Sequence, residues 1–118
     1  NWNTNKDICI NSAYKGESFA RPWVIKDNGI YKMWFSSRGP VGYREKDGQH
    51  YKLDYAESFD GKKWERKRDE FKLLGESNGW DSEMTAYATV VKGRDYYYML
   101  YNGNNFGKTG FGYAVLKD

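Results

Sequence analysis

One segment of this chain occurs twice. Residues 17–37 and 83–103 align without gaps at an offset of 66, pairing Glu17 with Glu83, Ala20 with Ala86, Val24 with Val90, Lys26 with Lys92, Tyr31 with Tyr97, Met33 with Met99 and Phe35 with Tyr101. Each copy holds two runs rich in β-branched and aromatic residues, joined by a short turn, Asp27-Asn28-Gly29 in one and Gly93-Arg94-Asp95 in the other. That is the pattern of a β-hairpin. A chain that repeats a hairpin at this spacing is expected to stack like units, because a repeated unit buries its apolar face against its neighbour.

Around the repeat, the strands of the first unit are expected at Phe19 to Lys26, Ile30 to Ser37, Tyr51 to Glu57 and Lys62 to Lys67, with Arg38 to His50 as a long loop. The second unit is expected to supply Met84 to Lys92, Tyr96 to Asn102 and Thr109 to Leu116, reached through the polar, glycine-bearing connection Arg68 to Ser82, which includes Gly75. Tyr113-Ala114 matches Tyr55-Ala56 at an offset of 58, the loop before it being shorter. Trp2 to Asp7 echoes Trp64 to Asp69 at an offset of 62, so a fourth-strand element stands in surplus at the start while one is due after the last strand.

This layout predicts an all-β fold of β-propeller blades, two four-stranded repeats per chain, with the ring completed by homo-oligomerisation. Residues 1–118 form a single two-blade unit: a first blade at about 19–67, and a second at about 84–116 plus an N-terminal strand, about 2–5, from a neighbouring chain. A homotrimer with strand exchange is the favoured assembly. A seven- or eight-stranded immunoglobulin-like sandwich has a compatible strand count, but a sandwich has no reason to repeat.

Composition agrees with strands. Tyr supplies 11 residues, Trp 5 and Phe 6, so burial must come from rings with polar tips rather than from a Leu-rich helical core. Net charge is +3 with signs interspersed, which argues against a nucleic-acid footprint; the cluster Lys62, Lys63, Arg66, Lys67 and Arg68 is expected on an outer, solvated strand. Cys9 is the only cysteine and is expected to be a small buried hydrophobe; no internal disulfide and no cysteine-based zinc site can form within one chain. His50 is the only histidine and falls in a polar loop, so Ser-His-Asp and His-rich metal sites are limited. No metal or cofactor site, no targeting segment and no membrane span is expected.

Ala20-Arg21-Pro22-Trp23-Val24, Tyr31-Lys32-Met33-Trp34-Phe35, Tyr55-Ala56-Glu57-Ser58 with Asp60-Gly61 and Trp64, and Gly79-Trp80-Asp81-Ser82-Glu83-Met84 followed by Tyr98-Met99-Leu100-Tyr101-Asn102-Gly103 together resemble the glycoside hydrolase superfamily of families 32, 43, 62, 68 and 130. The resemblance runs over nearly the entire chain and covers about two blades of what in that superfamily is a five-bladed propeller with a sugar site at its tunnel mouth. It implies that Glu83 stands where a general acid could, with Glu17 in the matching place of the other blade. Arg21-Pro22 resembles the superfamily's Arg-Asp-Pro motif but lacks its aspartate, which puts sucrose-cleaving chemistry in doubt.

Glycoside hydrolysis generally uses two carboxyl groups across the glycosidic bond, roughly 5 to 5.5 Å apart for retention and 6.5 to 9.5 Å for inversion. Strand alternation would aim Glu17, Phe19 and Arg21 together, and likewise Glu83, Thr85 and Tyr87, with Arg21 holding nearby acids ionised. The competing reading is that the two glutamates form charge pairs that close the tunnel. Trp2, Trp23, Trp34, Trp64 and Tyr97 read as inter-blade packing. Trp80, in a polar connection, reads as a sugar-stacking indole, with Asp81, Asn102, Asn104 and Asn105 as hydroxyl partners. Glu83 and Glu17 are thus the catalytic candidates, and Arg21, Trp80, Asp81, Tyr87, Asn102, Asn104 and Asn105 the ligand-binding ones. The expected function is carbohydrate binding near the tunnel mouth. An active glycoside hydrolase with Glu83 as general acid, and a non-catalytic scaffold ring, are the alternatives.

Overall fold

The structure is a computed structural model and describes residues 1–73 and 78–117. Seven strands form two antiparallel sheets. The first sheet has the order β1 (Ser18–Asp27), β2 (Ile30–Arg38), β3 (Lys52–Ser58), β4 (Glu65–Arg66), and the second has the order β5 (Ala86–Lys92), β6 (Tyr96–Asn102), β7 (Phe111–Lys117). Six of the seven expected strands stand within two residues of their predicted bounds. The fourth is shorter, Glu65–Arg66 in place of Lys62 to Lys67, because Asp60 captures the amides of Lys62 and Lys63 in a turn at 2.8 and 2.9 Å and keeps them off the ladder. Residues 74–77 of the predicted connection, Gly75 among them, lie outside the described residues. Among the described residues no helix is long and apolar enough to cross a membrane.

The first hairpin turns on Asn28 and Gly29 alone. Both have positive φ, 51° and 78°, the pair that a type I′ turn requires and that Asn-Gly adopts at little cost. The register then sets Trp23 opposite Trp34 and Val24 opposite Met33. Both inner strands carry a bulge at the same repeat position, between Ala20 and Trp23 and between Ala86 and Thr89. Arg21 and Tyr87, 66 residues apart, occupy the left-handed region at φ 50° and 58°. One extra residue at this point re-aims the side chains that follow it.

The sheets pack face to face. Trp34 and Leu53 of the first meet Ala88, Val90, Tyr97, Met99 and Tyr101 of the second, with Trp23, Ile25 and Tyr55 at the margin. Polar bonds fix the docking: the Trp23 indole donates to the Val90 carbonyl at 2.9 Å, the Leu53 amide to Thr85 Oγ1 at 3.0 Å, and the Tyr87 amide, freed by the bulge, to Ser36 Oγ at 2.9 Å. At the far end Asp27 is nearly buried and accepts from the Tyr97 hydroxyl and the Lys92 ammonium, with Lys32 at 3.5 Å. The Lys92 hydrogen bond is the main cause that holds the Asp27 carboxyl below its usual range, against the opposing effect of burial.

Behind the first sheet, Met33, Phe35 and Ala56 form a second cluster with Phe19, Trp64 and Ile10. Ile10 is the one residue of 1–16 that is not exposed. Two expectations are corrected here. Cys9 is exposed rather than buried, and Trp2 is fully exposed rather than packed, because that segment touches the core only through Ile10.

Trp34 is 4% exposed and central to the contact between sheets. Replacing it by Ala should cost about 3–5 kcal/mol, lost transfer free energy plus a cavity. The fall in urea midpoint measures it; a midpoint unchanged within error would mean that the sheets do not stabilise each other.

Candidate functional site

Glu17 lies just before β1, and its side chain is fully buried. A carboxylate there needs donors, since an unpaired buried charge costs several kcal/mol, and it has four. Arg66 of β4 forks onto it, Nη1 to Oε1 at 2.9 Å and Nη2 to Oε2 at 2.6 Å; the Ala13 amide donates at 2.8 Å and the Ser37 hydroxyl completes the set. The same guanidinium reaches Asp54 of β3 through Nε at 2.8 Å, and Arg68 stands 3.4 Å from Asp54 and 3.6 Å from Glu17. The Arg66 hydrogen bonds are the largest cause that brings the Glu17 carboxyl down to about 2; burial opposes, while Ser37 and Ala13 assist. Glu17 is therefore ionised at neutral pH with its lone pairs occupied.

Its repeat counterpart is built differently. At the same offsets, Ser37 corresponds to Gly103, Asp54 to Gly112 and Tyr14 to Trp80. The Trp80 indole fills the space those two polar side chains would take: it stacks on Tyr101 with centroids 5.1 Å apart, and a Cβ at Gly103 or Gly112 would collide with it. Trp80 is 38% exposed, so an indole that the sequence presents as a free sugar platform is half embedded. Asp81 is buried and accepts from the Tyr101 hydroxyl at 2.6 Å. Asn104 is a tether, its Oδ1 accepting from the Glu83 and Met84 amides at 2.8 and 2.9 Å and its Nδ2 donating to Ser82 Oγ at 3.1 Å. These bonds pin the Glu83 backbone while its side chain stays exposed and, among the described residues, outside ion-pair distance of any cation.

Glu17 and Glu83 nevertheless line the same open cleft, of about 680 Å³, together with Arg38, His50, Lys52, Asp54, Arg66 and Arg68. Its floor is the end of β2 and the start of β3, and its rim is the loop 39–50, closed by Gln49 donated to by the Val41 amide and by His50 Nε2 at 2.9 Å from the Lys46 carbonyl. Lys52 spans the two sheets, donating to the Glu83 carbonyl. Among the described residues no group of three or more His, Cys, Asp or Glu could hold a metal ion.

Three more predicted residues gather in a second hollow of about 350 Å³, where Arg21, Tyr87 and Asn102 are joined by Thr89, Leu100, Tyr101 and Phe111. Asn105 is apart, exposed on the left-handed turn Asn104–Gly107 at φ 55°. Strand alternation does not hold here: the bulges turn Arg21 outward, and Phe19 packs on Phe35. The cation facing Glu17 is Arg66, expected on a solvated strand, and not Arg21. The alternation around Trp64 places Trp64 on the core and Glu65 outside, but it carries no sign that Arg66, diagonal to the core face, meets a carboxylate 49 residues away.

No protein-family model matches the chain. It is 34% identical over 118 residues to the uncharacterized protein Rv1502 of Mycobacterium tuberculosis strain H37Rv, and equally to the uncharacterized protein MT1551 of strain CDC 1551 / Oshkosh. It covers 36% of each, so the chain spans about a third of the length of these curated relatives. Among solved structures, it superposes on a "Glycoside hydrolase" at a TM-score of 0.71 with 17% identity, covering 98% of this chain and 32% of that one. A second solved structure, a complex of BT0996 with RGII, gives 0.65 with 17% identity, over 95% and 30%. The chain thus has a glycoside-hydrolase-like all-β fold.

Because the folded Glu17 carboxyl sits at about 2 against an ordinary 4.5, the unfolded chain binds this proton more tightly. The stability it contributes is whole above about pH 4.5 and is lost as pH falls towards about 2. Acid titration followed by tryptophan fluorescence should show that loss, and Glu17→Gln should flatten it. Arg66→Met should cost about 3–5 kcal/mol at pH 7 by stranding Glu17 and Asp54; a cost under about 1 kcal/mol, the range of surface pairs, would mean that the cluster is not closed to water.

Proposed function

We propose that the chain is a carbohydrate-binding unit of glycosidase-like propeller ancestry, with the saccharide seated in the cleft that holds both repeat glutamates. The observation that carries this reading is the meeting of Glu17 and Glu83 in one cleft of about 680 Å³, within the usual size range of ligand sites. A fold neighbour described as a glycoside hydrolase supports the substrate class. In this reading Trp80, Asp81 and Asn104 hold the wall that presents Glu83, and Asn105 stands on the adjoining turn. Arg21, Tyr87 and Asn102 form a separate hollow for a distal sugar.

Active hydrolysis is the second reading, favoured by the contrast between the glutamates. Acid–base pairs are found where environments separate two carboxyls. Glu17 is locked ionised and cannot be the proton donor at neutral pH, whereas the Glu83 carboxyl is free to exchange one. Glu83→Gln should then abolish reducing-sugar release, by about 100-fold or more, while saccharide affinity by calorimetry changes less than about threefold. Unchanged turnover in that variant removes Glu83 as the acid; binding without turnover in the parent chain leaves the binding reading. If no saccharide binds, the scaffold reading is what remains.

The propeller reading makes residues about 19–67 a first blade and about 84–116 a second, the latter completed by residues about 2–5 of a neighbouring copy. What supports it is a correspondence of faces. Trp34, Leu53 and Tyr55, packed between the sheets, correspond through the repeat to Leu100, Phe111 and Tyr113, which are 40, 70 and 70% exposed on the outer face of the second sheet. Ser36, acceptor of the Tyr87 amide, corresponds to Asn102, which would accept the Arg21 amide of the next copy. β7 is an edge strand, open to residues 3–4 of that copy as β3 is paired by Glu65–Arg66. Light scattering should give a whole multiple of 13.8 kDa, three being favoured, and Tyr113→Lys or loss of residues 1–5 should reduce it to one. A folded monomer in the parent chain sinks the ring of copies and leaves this face to a further repeat of a longer chain.

A further inference from the structure

The cleft is unevenly charged once its internal pairs are set aside. Four carboxylates line it, Glu17, Asp47, Asp54 and Glu83, against five cations, Arg38, Lys46, Lys52, Arg66 and Arg68. Arg66 and Arg68 are committed to Glu17 and Asp54. Among the described residues Arg38 and Lys52 are not committed to any carboxylate, and they stand together: Lys52 pairs in register with Ser37, so the two cations sit at the same end of neighbouring strands on the cleft floor. Like charges in such positions repel each other across a sheet. Arrangements of this kind call for an anion.

Each cation is held and incompletely satisfied. The Arg38 guanidinium lies flat on Tyr43, 3.6 Å from its centroid, with Tyr51 at 5.9 Å, so its plane is fixed in advance. Among the described residues its one protein hydrogen bond runs from Nη1 to the Gly39 carbonyl at 3.3 Å, and its Nε is buried without a partner. The Lys52 ammonium has a single acceptor there, the Glu83 carbonyl. Burial is the largest influence on Lys52 and brings its pKa down; the Glu83 and Asp81 carboxylates act in the opposite direction from beyond ion-pair distance. Lys46, on the loop above, adds a third cation without a carboxylate among the described residues.

We propose that the cleft selects an acidic saccharide, whose anionic group is received between Arg38 and Lys52. The proposal rests on the carbohydrate reading given above and refines its substrate class. A preoriented guanidinium offers parallel donors to a planar carboxylate, and an ammonium beside it supplies a point charge. The anion would cancel the repulsion between the two cations and give the Lys52 ammonium a counter-charge. Glu17 and Asp54, saturated by Arg66, would not repel it as free carboxylates would. Sugar hydroxyls would face Asp47, His50 and the exposed Glu83 side chain, leaving that carboxylate beside the ring and away from the anionic end.

The test is calorimetry on the intact chain at about 50 mM salt, where screening of charges is modest, with a trigalacturonide, the neutral trigalactoside of the same linkage, and its sulfated form. The acidic trisaccharide should bind about tenfold or more tighter than the neutral one, the worth of one charged hydrogen bond. That preference should collapse in Lys52→Gln and in Arg38→Gln, and fall as salt rises. Arg38 is packed on two tyrosines, so the exposed Lys52 variant keeps the test decisive if Arg38→Gln misfolds. A sulfated ligand as tight as the uronate supports the site and assigns it to charge; a uronate preference over sulfate supports it and assigns it to the planar carboxylate. Equal affinity for acidic and neutral trisaccharides overturns the proposal and leaves the carbohydrate reading standing. Binding of none of the three overturns both.

Discussion

The contact between the two sheets is the constraint on which everything else depends. A sheet of a few strands with one apolar face is marginal in water, and neither sheet here closes on itself. What joins them is a band of rings, Trp23, Trp34, Tyr55 and Tyr97, laid against the small side chains Ala88 and Val90 of β5. Small residues on one surface let large rings on the other approach the backbone, and the Trp23 indole does so closely enough to donate to the Val90 carbonyl. The polar tips of the rings are thus employed as well as their apolar bodies. A Tyr- and Trp-rich chain can build a core in this way where a Leu-rich chain would need only volume.

Bulges turn this packing into a site. The extra residue between Ala86 and Thr89 frees the Tyr87 amide, and the fully buried Ser36 hydroxyl accepts it, so the irregularity is stabilised by the neighbouring sheet rather than tolerated by it. Positive φ at Arg21 and Tyr87 carries a cost of order 1–3 kcal/mol each, which the packing on either side offsets. In exchange, the backbone before each bulge is swung so that the segments beginning at Glu17 and Glu83 approach a common cleft.

The hairpins were legible because their signal is local: Asn28-Gly29 names its turn, and alternation of rings and polar residues names the strands. The offset of 66 also conveyed that the two units are built alike. Contacts made at a distance left no such trace. Arg66 looked like part of a solvated charge run because its partners, Glu17 and Asp54, lie 49 and 12 residues away. The face expected for Arg21 failed at the bulge, since a one-residue insertion leaves the pattern of residue types unchanged while it reverses every direction beyond it. Trp80 looked exposed because the glycines that make room for it, Gly103 and Gly112, are more than 20 residues downstream.

Comparison of the two repeats shows how one backbone frame yields two kinds of glutamate. In the first, Ser37, Asp54 and Arg66 surround the carboxylate with donors and a competing acid, and the group is fixed in its charged form. In the second, glycine replaces the serine and the aspartate, an indole takes the space, and the carboxylate is left to solvent with its backbone tied to Asn104. Repetition alone would have produced two equivalent acids, with nothing to separate their protonation. The substitutions around them break that equivalence while the strands that carry them stay in register, so the difference in chemistry arises from a few small side chains beneath each glutamate rather than from the glutamates themselves.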